Sequence, residues 1–212
     1  KLYLKSCKVT MQKQFLKYCQ SIGLSEQSTI LVAVSGGLDS IALLHLFKLA
    51  NFKISVAHCN FKLRGTESDA DHDFVSHTCK HLNLPFFSKD FDTLAYAKLH
   101  SVSIQMAARE LRYAWFTELR LSNAIDYIAT AHHQDDQVET ILLNLSRGTG
   151  LKGLHGILPI QNHLVRPLLY TDRAKLEAWM RTRKISYRED SSNASLKYAR
   201  NKLRHKVLPV LK

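Results

Sequence analysis

The eleven residues Ile30-Leu31-Val32-Ala33-Val34-Ser35-Gly36-Gly37-Leu38-Asp39-Ser40 join an apolar run of β type to a two-glycine turn and a helix-opening Asp-Ser. That order of signals leaves few ways to fold: a buried strand ends in a tight turn from which a helix departs at once. It is also the grammar of an anion-binding loop. Backbone N–H groups converge on phosphate oxygens only where no Cβ obstructs them, which Gly36 and Gly37 permit. The helix that follows adds unpaired amides and the positive end of its dipole. Ser35 and Ser40 contribute hydroxyl donors. The Walker pattern places a lysine after its last glycine, and here Leu38 holds that position. A nucleotide is therefore expected to be gripped by amides, hydroxyls and a metal ion on Asp39. A strand-to-helix turn with no ligand is the plain alternative, because Ser, Gly and Asp are the commonest turn residues.

Apolar runs alternate with helical periods along the chain, which predicts an α/β fold: a doubly wound parallel sheet with helices on both faces. Strands are expected at Ile30 to Val34, Ile54 to His58, Pro85 to Ser88 and Tyr127 to Ala131. Helices are expected at Thr10 to Ile22, Ser40 to Ala50, Ser68 to Leu82 and Gln105 to Leu121. After Arg147-Gly148-Thr149-Gly150 come short apolar pieces, a basic helical stretch from Asp172 to Lys184, and a last helix from Leu196 to Val207. No flexible linker divides these parts, so a single domain spanning 1–212 is expected, with a core of about 28–170 and a basic helical extension of about 171–212. Ligands of such sheets bind outside the carboxyl ends of the strands. Three predicted strand ends are polar there: Ser35 to Ser40, His58-Cys59-Asn60 and His132-His133-Gln134-Asp135-Asp136.

The formal charge of +12 points to a phosphate-bearing partner. From Thr171 to Lys212 there are twelve Lys and Arg against four Asp and Glu, so the surplus is concentrated at the C-terminal end. No apolar stretch is long enough for a membrane span and no secretory cleavage pattern is present, which makes the cytoplasm the expected location. Cys7, Cys19, Cys59 and Cys79 form no Cys-x-x-Cys pair and read as reduced, mostly buried thiols. In the second dense cluster, helical geometry would set His132 beside Asp136 and Asp135 beside Glu139. Carboxylates at a helix start suit the dipole, and next to a triphosphate they suit magnesium or a cationic substrate. A zinc site is poorly supported by this spacing.

The Ser35 to Ser40 loop resembles the pyrophosphate-binding loop of the ATP pyrophosphatase superfamily, enzymes that split ATP between its α and β phosphates. Within it the chain is similar to the bacterial tRNA(Ile)-lysidine synthetase family over most of its length. The resemblance is carried by His58-x-Asn60, Leu63-Arg64, Ser68-x-x-Asp71, Ala108-Arg109-Glu110-x-Arg112-Tyr113 and Ala131-His132-His133-x-Asp135-Asp136-Gln137-x-Glu139-Thr140. It continues through Arg147-Gly148-Thr149-Gly150-Leu151-x-Gly153-Leu154, Arg166-Pro167-Leu168-Leu169, Glu189-Asp190-x-Ser192-Asn193 and Arg200-Asn201-x-x-Arg204. Phe61 departs from it, since members often carry histidine there. Because the chain starts at Lys1 and stops in its basic stretch, a catalytic-domain fragment without the family's C-terminal tRNA-binding domains is expected.

The resemblance implies an adenine nucleotide alpha hydrolase-like fold and the ATP-dependent ligation of free L-lysine to the wobble cytidine of tRNA(Ile) with a CAU anticodon. ATP and Mg2+ are the implied cofactors. Ser35, Gly36, Gly37, Leu38, Asp39, Ser40, His58, Asn60 and Arg64 are then the expected ATP contacts, and Arg112 or Arg64 would balance charge on the α-phosphate. Asp39, Arg112, Asp135, Asp136 and Glu139 are the catalytic candidates, with Asp39 and Asp136 as metal ligands. Which carboxylate takes metal and which seats lysine is left open. Lys197, Arg200, Lys202 and Arg204 would form an electrostatic rail for RNA phosphates. No membrane partner is implied, a homodimer is an assembly open to the enzyme, and a related tRNA thiolase is the alternative activity.

Overall fold

Strand β1 (Thr29–Ala33) alternates its side chains between two apolar clusters, Ile30 and Val32 entering one and Leu31 the other. A strand covered on both faces belongs inside a layered α/β sheet. The computed structural model, which describes residues 2–189, places it there. β1 pairs in parallel with β2 (Lys53–Asn60) on one side and with β4 (Tyr127–Ala129) on the other. β3 (Phe86–Asp90) lies outside β2, and β6 (Leu164–Val165) outside β4, both parallel. β5 (Ile160–Gln161) closes the edge antiparallel to β6, so the sheet is mixed, in the order β3-β2-β1-β4-β6-β5.

Helices cover both faces, as the alternation predicts. On one face, α1 (Leu2–Ser21), α2 (Leu38–Leu49), α3 (Thr66–His81) and α7 (Arg173–Arg183) contribute Phe15, Phe47, Val75 and Trp179 to a common core. On the other, α5 (Ile104–Ser122) presents Trp115 and Phe116 to Leu31, Ala57 and Ile128, and α4 (Thr93–Leu99) packs on α5. Helix α6 (Gln134–Ser146) leaves the end of β4 and is followed by a 3-10 turn over Leu151–His155.

Three departures from the predicted elements are informative. β4 ends at Ala129 rather than Ala131, because beyond Thr130 the chain has already left the ladder to enter α6. Helix α4 was not expected; it is seven residues long and is started by Asp92, whose carboxylate accepts the Ala95 N–H at 2.9 Å. Helix α7 lies in the basic extension expected from 171 onward, yet Leu176, Trp179 and Met180 are buried in the main core against α1 and α2. Burial of one such side chain stabilises by about 1.5–3 kcal/mol, so α7 is held as firmly as the sheet helices.

Strand order reverses between β1 and β4: from β1 the chain winds outward to β3, then returns to the opposite side. Diverging connections at that point leave a crevice beyond the carboxyl ends of the two strands. Ser35 to Ser40 follows β1, and Thr130 to Asp136 follows β4.

Candidate functional site

Gly36 takes a φ of +98°, which a side chain would strain, and its α-carbon lies against α3. A Cβ there would meet Val75 at 3.5 Å and the Asp71 carbonyl at 3.8 Å. Gly37 is the N-cap of α2 and has no side chain with which to cap it, so the first-turn amides have no side-chain cap. The two serines brace the turn. Ser40 Oγ accepts the Ser35 N–H at 3.2 Å and donates to the Gly37 carbonyl at 2.9 Å, with Ser35 Oγ 3.2 Å away.

Across the crevice, His133 is the N-cap of α6 and is almost wholly buried. Its Nδ1 accepts the Asp135 N–H at 3.2 Å, and the Asp136 carboxylate accepts the His133 N–H at 2.9 Å. Nε2 then carries the ring proton, 3.5 Å from Asp136 and 3.7 Å from Asp39. Burial alone would lower the pKa of this ring, but the contact with Asp39 and the charges of Asp136, Asp39 and Asp135 outweigh it and raise it above the ordinary histidine value. His133 thus ties the loop after β1 to the helix after β4.

Arg173, at the start of α7, completes the junction: its guanidinium donates to Asp39 Oδ2 at 2.8 Å and its main-chain N–H to Asp135 Oδ2 at 3.1 Å. The other Asp39 oxygen, Oδ1, is buried and has no hydrogen-bond partner among the described residues. A third strand end brings Arg64, which donates to Asp71 at 2.6 Å, and the segment after α7 brings Arg188, whose Nε donates to the same carboxylate at 2.5 Å. These walls enclose an open cleft of about 700 Å³, polar around the loop and apolar around Ala33, Ala57 and Phe61.

A model of the PP-loop domain family matches residues 7–211. The chain belongs to the PP-loop family. It is 51% identical over 184 residues to the tRNA(Ile)-lysidine synthase of Porphyromonas gingivalis, covering 86% of this chain and 40% of that protein. The lysidine synthase of Parabacteroides distasonis is 48% identical over 188 residues, covering 89% and 43%, and that of Petrotoga mobilis 40% identical over 206 residues, covering 95% and 66%. The chain therefore spans about two fifths of the length of the first of these relatives. Among solved structures it superposes on a U34-tRNA thiolase from Methanococcus maripaludis with a TM-score of 0.71 at 16% identity, covering 87% of this chain and 67% of the other. It also superposes on an NH3-dependent NAD synthetase from Campylobacter jejuni with a TM-score of 0.57 at 13% identity, covering 86% and 74%. At such identities the likeness is one of fold.

The PP-loop puts Ser35, Gly37, Leu38, Asp39 and Ser40 on the cleft wall, together with Arg64 and Arg112. Arg112 stacks over Phe61 with its guanidinium 5.2 Å from the ring centre. His58 and Asn60 stand behind that wall. Both are buried: His58 Nδ1 is 2.8 Å from the Val34 carbonyl, bracing the strand that enters the PP-loop, and Asn60 holds Asp69 at 3.0 Å and the Lys62 N–H at 3.1 Å. Asp135 and Glu139 are buried one turn apart on α6, while Asp136 caps the helix. The predicted pairing of His132 with Asp136 along one helix is corrected, because α6 begins at Gln134. His132 precedes it, with Nδ1 2.9 Å from Thr130 Oγ1. Lys197, Arg200, Lys202 and Arg204, and the helix expected over 196–207, lie outside the described residues.

Sequence reasoning named Asp71 and His133 only within longer motifs, and gave neither them nor Arg173 or Arg188 a role in the site. Their partners are 94 or more residues away for the Asp39 and Arg188 contacts, and no local spacing announces such pairs. The available signals were the motifs that hold Asp71 and His133 and the positive surplus beyond Thr171, which reads as an outward RNA surface but sends two of its arginines into the cleft.

Proposed function

We propose that this cleft carries out the ATP-dependent ligation of free lysine to the wobble cytidine of the CAU anticodon of tRNA(Ile), in the cytoplasm, through an adenylated cytidine and with release of AMP and pyrophosphate. The observation that carries the reading is the meeting of the PP-loop aspartate, Asp39, with the α6 carboxylates Asp135 and Asp136 around the single buried ring of His133. The loop that follows β1 is thereby joined to a cluster of carboxylates at the start of α6, of which Asp135 and Glu139 are buried behind the cleft wall. The identity to proteins named lysidine synthases, over nearly the whole chain, supports the same choice.

Each chemical obstacle has residues to meet it. The carbonyl oxygen on the cytosine ring leaves, as part of AMP, only once adenylated, which requires ATP held with its α-phosphate exposed. The amides of Gly37, Leu38 and Asp39 and the hydroxyls of Ser35 and Ser40 would hold the phosphates, and Arg112 would balance charge developing on the α-phosphate. The lysine amine, with an unperturbed pKa of about 10.4, attacks only after losing its proton. Asp135, Asp136 and Glu139 would seat the ammonium and take that proton.

The residues fit a magnesium ion. It is held by one or two carboxylates plus substrate phosphates rather than by an all-protein cage, and the unpartnered Asp39 Oδ1 is such a carboxylate oxygen, with Asp136 as the second candidate. When bound, it would neutralise phosphate charge and orient the leaving pyrophosphate. Lys197, Arg200, Lys202 and Arg204 are proposed as contacts to the RNA backbone, for which affinity falls with salt.

Sulfur transfer is the competing chemistry. Cys59 lies on the cleft wall, but burial pushes its thiol up to about 12, which leaves little thiolate for attack. The test is to incubate the full-length protein with ATP, labelled lysine and a tRNA(Ile) transcript bearing CAU. Lysine incorporation that disappears when the wobble cytidine is replaced is the expected result; incorporation of sulfur and not lysine would overturn the proposal.

A further inference from the structure

The PP-loop has no lysine, so any cationic side chain that meets the outer phosphates of ATP comes from elsewhere in the chain. Two segments meet at Gly36, and a third joins them at Asp71. Helix α3 lies against its α-carbon through Asp71 and Val75, and the segment after α7 crosses beside it, with the Arg188 N–H donating to the Gly36 carbonyl at 2.9 Å. The Arg188 carbonyl lies 3.9 Å from the place where a Cβ on Gly37 would be. The third segment is the turn after β2, which carries Arg64. Asp71, nearly buried, receives Arg188 on Oδ1 at 2.5 Å and Arg64 on Oδ2 at 2.6 Å, so one carboxylate holds two guanidiniums side by side. Both arginines line the cleft, where Glu189 is also found, and Glu67 lies 3.8 Å from Arg64.

Resting on the ATP reading above, we propose that Arg188 and Arg64, aligned by Asp71, form the clamp for the β and γ phosphates that the PP-loop itself lacks. Guanidiniums suit this task because their planar forks meet phosphate oxygens in pairs, whereas an ammonium acts as a point charge. Two such forks fixed by a common carboxylate lose little rotamer freedom when the ligand arrives. Asp71 is then a positioning residue: it touches no phosphate and acts through the two arginines. The segment carrying Arg188 belongs to the basic end of the chain, so a part expected to serve RNA alone also completes the nucleotide site.

The experiment compares ATP with AMP, both with magnesium, by titration calorimetry on the full-length protein. Arg188→Ala keeps the main-chain bond to Gly36 and removes only the fork, so ATP affinity is expected to fall about tenfold or more, the worth of one charge-assisted hydrogen bond. AMP affinity is expected to stay unchanged, because AMP lacks the phosphates concerned. Arg188→Lys is expected to recover part of the loss. Asp71→Asn is expected to weaken ATP but not AMP, and adding it to Arg188→Ala to cost less than it does alone, since its action runs through the arginines. Equal losses for ATP and AMP, or no loss with ATP, would overturn the clamp. Wild-type protein that fails to bind ATP would bring down the functional reading as well, whereas wild type and Arg188→Ala binding ATP equally would bring down the clamp alone.

Discussion

Replacing Trp179 with alanine tests whether α7 is part of the core or a basic appendage resting on it. Trp179 is 1% exposed and shares its cluster with Leu176, Met180, Phe15 and Phe47. Its outer face is covered by Arg183, 5.2 Å from the ring centre. Truncating a fully buried Trp costs about 3–5 kcal/mol, from lost transfer energy and the cavity that remains. The stacked Arg183 adds about 0.5–1 kcal/mol. Unfolding free energies of folded chains are about 5–15 kcal/mol, so this one change removes a large share. For a chain of this size each kcal/mol lowers the melting temperature by about 2–4 °C, which gives a fall of roughly 7–24 °C. The assay is thermal and urea unfolding followed by circular dichroism at pH 7.5, with Lys175→Ala, an exposed position on the same helix, as the control expected to stay within about 0.5 kcal/mol. A loss below about 1 kcal/mol for Trp179→Ala would refute the packing argument, and with it the claim that α7 rigidly presents Arg173 to Asp39.

Gly36→Ala should destabilise the protein by about 1–3 kcal/mol through backbone strain alone, since the nearest atom to the new Cβ is an ordinary 3.5 Å away, and should weaken ATP binding; unfolding curves that superpose on wild type would contradict the φ assignment. Burial lowers the His58 pKa below its usual value, against the Val34 carbonyl bond that opposes it. Because the folded protein then favours the neutral ring, stability from this group is present above about pH 6.5 and is lost as the pH falls toward the depressed folded value. His58→Gln should show a smaller drop in melting temperature between pH 7.5 and 5.5 than wild type, and an identical drop would remove His58 from the account.

What could be read in advance divides along physical lines. The β1 to α2 unit was visible because every signal in it is local: an apolar run, two glycines and a helix period within twenty residues. The parallel core and the crevice at the ends of β1 and β4 followed from alternation. By contrast, β5 and β6 pair over two residues each, too short to show a period, so the antiparallel edge was hidden. The start of α6 was misplaced because histidine is an unusual N-cap; only the capping bonds of His133 and Asp136 fix it at Gln134. The basic end of the chain was legible as charge but not as address. A guanidinium facing RNA and one facing Asp39 or Asp71 look alike until the fold brings a carboxylate from 134 or 117 residues away.

The most direct test of the central claim follows AMP formation from ATP labelled in its α-phosphate, using the full-length protein with and without tRNA(Ile) bearing CAU. Wild type should form AMP only when the tRNA is present, and Asp39→Asn, which keeps the shape of the side chain and removes its charge, should reduce that rate by about a hundredfold or more while tRNA affinity stays as it was. AMP formation that is unaffected by Asp39→Asn, or that proceeds equally without tRNA, would contradict the assignment of this cleft.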